Sequence, residues 1–232
     1  MRDTTRAALT RRLQRGSEQR LKRRLYFKSG SLDLYLQMAL SYGAFGGSSV
    51  GEVLYASSQV KERDLETWIQ AWRELGESAD TYARAAAERG DTDSARQGWL
   101  RAYTYLRTAV HAVRPGDERF QPLWQQAATA FRAAAELMHP PLERITVPFQ
   151  DGVLPGYVMR PPGPPEARPT LLLFGGGETY AEDMYFWGGA SGIDRGWNVI
   201  AVEVPGQGST AFDGLRFRAD VEVAVSRIVD AA

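Results

Sequence analysis

Two periodicities divide this chain. From Asp64 onward, apolar residues recur at Leu65, Trp68, Ile69, Trp72, Leu75, Ala79, Tyr82, Ala83 and Ala86. That stripe has a period near 3.6 and predicts an amphipathic helix. Asp64 is placed to cap it, with Glu66 and Thr67 in the first turn, and Gly90-Asp91 ends it. A second helix is expected from Asp93 or Ser94, with Ala95, Trp99, Ala102, Tyr103, Leu106 and Val110 on one face and a break at Pro115-Gly116. A third carries Phe120, Leu123, Trp124, Ala127, Phe131, Ala134, Leu137 and Met138. The aromatic residues of these stripes read as core. Residues 1–140 are therefore expected to be all-helical.

Beyond Pro140-Pro141 the period falls to two. Ile145–Phe149 and Leu154–Met159 alternate as half-buried strands do, and Asp151-Gly152 supplies a turn between them. The proline-rich run at 161–165 reads as a stiff surface loop. Leu171–Phe174 is continuously apolar, as expected of a central parallel strand. A helix, a strand Asn198–Val204 and a last helix follow, so residues 141–232 predict an α/β unit with a mostly parallel sheet of about five strands and an unpaired apolar edge.

Composition narrows the chemistry. The sequence has no cysteine, which excludes disulfides, thiolate catalysis and cysteine-based zinc sites. Formal net charge is zero, so nothing overall points to nucleic acid as a partner. No apolar run approaches the ~20 residues of a membrane span. A cytoplasmic protein without a membrane partner is expected. The ten Arg and Lys of residues 1–30, set against Asp3 and Glu18, could form a transit peptide or nucleic-acid arm. A solvated helix face or frayed terminus explains them with fewer assumptions, because aromatic residues are absent until Tyr26-Phe27. Gly90, Ala95, Trp99 and Ala102 have the spacing of a tetratricopeptide second helix, but no second copy follows at about 34 residues. Two antiparallel helices with small residues at their crossing account for the same pattern.

Three glycine motifs remain. Gly175-Gly176-Gly177 follows a core strand and precedes a helix, where backbone N–H groups can approach a substrate carbonyl and stabilise an oxyanion. A tight strand-to-helix turn is the alternative. Gly176 and Gly177 are thus candidate oxyanion donors, and Glu178 is a third, weighed against a role in capping the next helix. Gly206-Gln207-Gly208 with Ala211 fits the dinucleotide pattern G-x-G-x-x-A. That reading needs the glycines at the first strand-to-helix turn and an acidic residue at the next strand end, and neither condition is met. Gly47-Ser48-Ser49-Val50-Gly51 matches G-x-S-x-G, yet no strand precedes Ser49, so an inter-helix loop is expected there. The two histidines, His111 and His139, both precede the sheet and are expected on the surface or in loops. Two distant histidines without cysteine argue against a metal site, and no cofactor is expected.

Taken together, the motifs resemble an α/β-hydrolase subfamily. It includes 2,6-dihydroxypseudooxynicotine hydrolase and fungal hydrolases that shorten polyketide chains. Ser94–Arg107 is similar to the family's A-x-x-x-Y-L-R-A-x-x-Y-Y-R helix. Gly176–Tyr185 is similar to its G-G-x-D-S-x-x-E-E-x-Y oxyanion segment. Val204-Pro205-Gly206-Gln207-Gly208 with Phe217-Arg218-Ala219-Asp220 is similar to its G-P-G-Q-G…F-R-x-D. The resemblance implies a helical lid over the active site, a Ser-His-Asp triad, and hydrolysis of a carbon–carbon bond beside a ketone. Three departures stand out. The nucleophile, acid and base are not in the chain; Glu178 stands where the family often has Asp; Trp99 stands where it tends to have Tyr.

The leading expectation is the N-terminal half of an α/β-hydrolase with a helical lid, acting on a small-molecule ketone or ester. A G-x-S-x-G segment would then follow within a few tens of residues of Ala232. The alternatives are a non-catalytic pseudo-hydrolase that binds a ligand or partner through its helices, and a nucleotide-binding α/β protein. A homodimer is left open.

Overall fold

The computed structural model describes residues 24–164 and 166–231. The basic stretch of residues 1–30 lies outside the described residues up to position 23. Five helices come first: α1 (Gly30–Ser41), α2 (Val50–Ser58), α3 (Leu65–Glu88), α4 (Thr92–Val110) and α5 (Phe120–Glu136). The Asp64 carboxylate accepts from the Glu66 N–H and caps α3 as expected. For α4 the cap is Asp91, accepting from Ser94 N at 3.1 Å, so the helix starts a residue or two earlier than Asp93 or Ser94 would place it. Gly90, with φ 75°, makes the left-handed turn that lets Asp91 reach this position.

Helices α3 and α4 pack antiparallel along most of their length. A Cβ on Gly98 would lie 2.8 Å from the Ala83 Cβ, and one on Gly76 would lie 2.6 Å from Leu106 Cγ. Small residues at the crossing thus set the interhelical distance. Trp68, Trp72, Tyr103, Tyr105 and Phe131 are completely buried, as expected of core, whereas Tyr82 of the same stripes is exposed and Phe120 is only partly buried. Trp99 belongs to the α3–α4 contact, its indole N–H donating to Asp80 at 3.0 Å. Trp in place of the family's Tyr therefore acts on helix packing.

Among the described residues the sheet has four strands, one fewer than expected, in the order β1-β2-β4-β3. They are β1 (Glu143–Phe149), β2 (Gly152–Met159), β3 (Thr170–Leu173) and β4 (Asn198–Val202). β1 and β2 form a hairpin in which Phe149 pairs with Gly152, so the turn residues are Gln150 and Asp151. Gln150 takes φ 51° there. β2 pairs antiparallel with β4, and β3 pairs parallel with β4. The outer edge of β3 is unpaired among the described residues and carries half-buried Leu171, Leu172 and Leu173. The β1 edge is blunted differently, by Pro148 and exposed polar residues.

Alternation along β4 feeds two cores. Ile200 and Val202 join Val147, Leu154 and Ile228, the last from the final helix α8 (Glu222–Ala231). Val199 and Ala201 face the other way and join Tyr157, Met159 and the helices. One continuous core therefore runs from α1 through α5 into the sheet. Its bridge is the segment between β3 and β4: α6 (Ala181–Met184), a π-turn at Tyr185–Gly189, and α7 (Ala190–Asp194). The π-turn carries Phe186, whose ring stacks on Tyr42 at 4.4 Å and lies nearly parallel to Tyr103 at 5.9 Å.

Candidate active site

The glycine loop between β3 and α6 is held through its carbonyl groups. Gln207 Nε2 donates to the Gly175 carbonyl, and Gly208 N donates to Gly177 O at 3.2 Å. The Gly176 carbonyl accepts from Thr179 N at 3.1 Å. Arg107 donates to the Glu178 carbonyl. A trans peptide points its N–H opposite to its C=O, so pinning the Gly176 and Gly177 carbonyls aims the Gly177 and Glu178 N–H groups the other way. Neither of those two amides has a partner among the described residues. The Gly176 N–H does have one, the Thr179 hydroxyl at 2.9 Å.

Gly176, Gly177 and Glu178 are exposed at the junction of two clefts. One cleft, of about 250 Å³, has Phe120, Tyr180 and Phe212 in its wall. The other, of about 440 Å³, is walled by Tyr35, Met38 and Trp187. Gly177, Glu178, Arg107 and His111 line both. Glu178 does not cap the next helix: the Asp183 carboxylate does, accepting from Tyr180 N at 3.1 Å. Asp183 reaches that N–H because it sits on the third residue of the helix.

Arg107 and Asp183 form the buried polar centre beneath the loop. The guanidinium Nε lies 3.3 Å from Asp183 Oδ2, with both side chains almost fully buried. Asp183 Oδ1 also accepts from Tyr103 at 2.6 Å and Tyr42 at 3.3 Å. The Tyr180 ring covers the guanidinium at 4.7 Å. Burial and the Asp183 charge push both the Tyr42 and Tyr103 hydroxyls far up, so they remain neutral donors.

His111 lies in the turn that ends α4, as a loop histidine would, but is half-buried. It sits one turn beyond Arg107, stacked flat on Tyr35 with ring centroids 4.0 Å apart, and faces the clefts instead of open solvent. Its Nδ1 lies 3.4 Å from the Arg107 guanidinium. Burial and the Arg107 charge depress its pKa well below the ordinary histidine value. His139, by contrast, is exposed in a loop as expected. Ser49 stands at the N-cap position of α2 and has no strand before it. Its N–H donates to Tyr105 at 2.9 Å, which confirms an inter-helix loop and not a nucleophile elbow.

Behind the loop, Glu203 closes a second polar cluster. One oxygen accepts from Ala181 N at 3.0 Å, and the other accepts from Ser209 N and Oγ, each at 2.7 Å. Burial, then the neighbouring Glu182, raise its pKa to about 8. Burial also raises that of Glu182, to which the Tyr157 hydroxyl donates at 3.1 Å. Gly206 and Gly208 make the turn that brings Ser209 there, with φ of 87° and 44°. A Cβ on Gly206 would meet Phe217 and one on Gly208 would meet Glu203, so packing within the turn itself accounts for both glycines. Among the described residues no cluster of His, Asp or Glu side chains is placed to hold a metal ion. No described helix is long and apolar enough to cross a membrane.

Arg107, Asp183 and Gln207 were quoted within motifs but not singled out as site residues. For Arg107 a signal existed: Tyr103, Arg107 and His111 recur at four-residue spacing, a polar line along one face of a helix whose neighbours are apolar. Nothing in the sequence shows that Asp183 is its partner.

A mixed sheet in the order β1-β2-β4-β3, covered by helices, with a glycine loop opening on a cleft after β3, defines an α/β-hydrolase-type unit. Residues 60–215 match the esterase FrsA-like family, and the chain belongs to that family. It is 34% identical over 214 residues to the alpha/beta hydrolase psoB of Aspergillus fumigatus, covering 88% of this chain and 48% of that protein. It is also 34% identical over 201 residues to the hydrolyase ccsE of Aspergillus clavatus, covering 80% and 46% of the two chains. The crystal structure of 2,6-dihydroxy-pseudo-oxynicotine hydrolase superposes with a TM-score of 0.70 at 26% identity, over 83% of this chain and 52% of that one. The chain spans about half the length of the curated relatives it matches.

Proposed function

We propose that this chain supplies the oxyanion-stabilising loop and the helical lid of a serine hydrolase that acts on a ketone or ester carbonyl. The observation that carries the reading is the glycine loop. Four of its carbonyls are tied down, two adjacent amides are left free, and those amides open on a cleft with aromatic walls. Fixed donors of this kind stabilise a developing oxyanion without reorganising during the reaction, and losing one costs about 10²–10³ in rate. The Gly177 and Glu178 N–H groups are assigned this role. The Gly176 N–H, held by Thr179, serves to shape the loop. Arg107 positions the loop from below. Helices α1, α4 and α5 form the lid, and the apolar wall receives an acyl or aryl group. The nucleophilic serine, its acid and its base are assigned to the portion of the relatives' length that this chain does not span.

The test is covalent labelling of the complete gene product with a fluorophosphonate, followed by peptide mapping and by assay on p-nitrophenyl acyl esters and an aryl 1,3-diketone. Labelling of one serine outside residues 24–231, with turnover of either substrate, supports the reading. Labelling at Ser49, or no labelling and no turnover by a folded protein, contradicts it.

A further inference from the structure

His111 is a polar side chain of both clefts that the proposed chemistry does not use. Arg107 has no acceptor atom, so a hydrogen bond between its guanidinium and His111 Nδ1 requires a lone pair on Nδ1. The ring proton of a neutral His111 then sits on Nε2. That charge state agrees with the depressed pKa caused by burial and by the neighbouring cation. The flat stack on Tyr35 fixes the ring plane. Nε2 has no hydrogen-bond partner among the described residues, and it is not a sealed atom. His111 also lines both clefts, between the free amides of the glycine loop and the apolar wall built by Val110, Val113 and Phe212.

We propose that His111 presents its Nε2–H as a fixed, neutral donor to an acceptor oxygen of the bound substrate, and that it selects oxygenated ligands, an aryl ketone being the simplest, over hydrocarbons of the same shape. His111 is a specificity-determining residue in this account. A neutral donor suits a carbonyl or hydroxyl acceptor and gives no advantage to an anion. The oxygen it holds is distinct from the one at the glycine-loop amides, so a substrate with two oxygen functions would engage both. The inference rests on the reading of these clefts as the substrate site, but its test does not require turnover.

Two measurements on the complete protein decide it. The first is nitrogen-15 NMR of histidine-labelled protein, with the His111 and His139 signals assigned by their loss in His111→Phe and His139→Gln variants. His111 is expected as the Nε2–H tautomer from pH 6 upward, within roughly the neutral range in which an unperturbed histidine titrates. An Nδ1–H tautomer or an imidazolium at pH 7 would overturn the proposal. The second is titration with acetophenone and with ethylbenzene, which lacks the oxygen. Acetophenone is expected to shift the Nε2 resonance, and His111→Phe, which keeps the stack, to weaken acetophenone about tenfold while leaving ethylbenzene within about twofold. Equal effects on both ligands, or no Nε2 shift at saturating acetophenone, would overturn it. An acetophenone contact at Nε2 in a protein that hydrolyses no ester would leave this inference standing and remove the hydrolase reading alone. Ester hydrolysis with an unperturbed Nε2 would do the reverse.

Discussion

Arg107 is the residue on which most of the site depends. Its guanidinium touches Asp183, the Glu178 carbonyl, His111 and the face of Tyr180, and so ties α4 to the glycine loop and to α6. Removing one partner of a buried ion pair leaves the other charge uncompensated, at a cost of about 3–5 kcal/mol. Arg107→Met is expected to destabilise by that amount in urea denaturation, and Arg107→Lys to recover little, since a point charge cannot span those acceptors. A loss below about 1 kcal/mol would show that the pair is not structural. Glu203 gives a second prediction, one of pH. Its folded pKa of about 8 lies above the ordinary 4.5, so the folded state holds the proton more tightly. Its contribution to stability is complete below the unfolded value and is lost as pH rises through about 8. Stability should therefore decline across that window by at most about 1.4 kcal/mol per pH unit from this group. Glu203→Gln should flatten the slope, and thermal melts at several pH values would read it. An unchanged slope in the variant would assign the titration elsewhere.

At the scale of elements, the α3–α4 crossing and the glycine loop obey the same steric logic. Gly98 and Gly76 are open because a neighbouring helix occupies the space where a side chain would be. Gly98→Val forces its methyl groups into Ala83 and should cost about 1–3 kcal/mol, seen as a lowered melting temperature. A neutral result would mean that α3 can move away freely. The asymmetry between stripe and loop also explains what the sequence disclosed. Apolar periodicity located α3, α4, α5, β1 and β2, because burial on one face imposes it directly, and a continuous apolar run located β3. The Asp91 cap was missed because four consecutive acidic or hydroxyl residues, Asp91, Thr92, Asp93 and Ser94, compete for the position. Only the turn at Gly90 selects among them.

For the molecule as a whole, the helices and the sheet share one core, with Phe186 of the π-turn inserted between Tyr42 and Tyr103. The glycine motif was legible as a strand-to-helix loop from its place after an apolar strand. Which of its amides are free was not, because that depends on carbonyl partners from Gln207, Gly208 and Arg107, one of them 71 residues away. The cleft-facing position of His111, read only as a surface or loop histidine, was not legible for the same reason. Its stacking on Tyr35 joins α1 to the end of α4, and no local pattern encodes that meeting.

The central claim is that the Gly177 and Glu178 amides face the reacting carbonyl. Glu178→Pro deletes one of those N–H groups and keeps the carbonyl that Arg107 holds. Glu178 is not among the described residues with positive φ, so the ring is compatible in sign. Glu178→Ala keeps the amide and serves as the reference. The measurement is kcat and KM of the complete enzyme on a p-nitrophenyl ester, for both variants. The account predicts that the proline variant has a kcat about 10²-fold below the alanine variant, with KM little changed. Equal kcat values in two folded variants would contradict it.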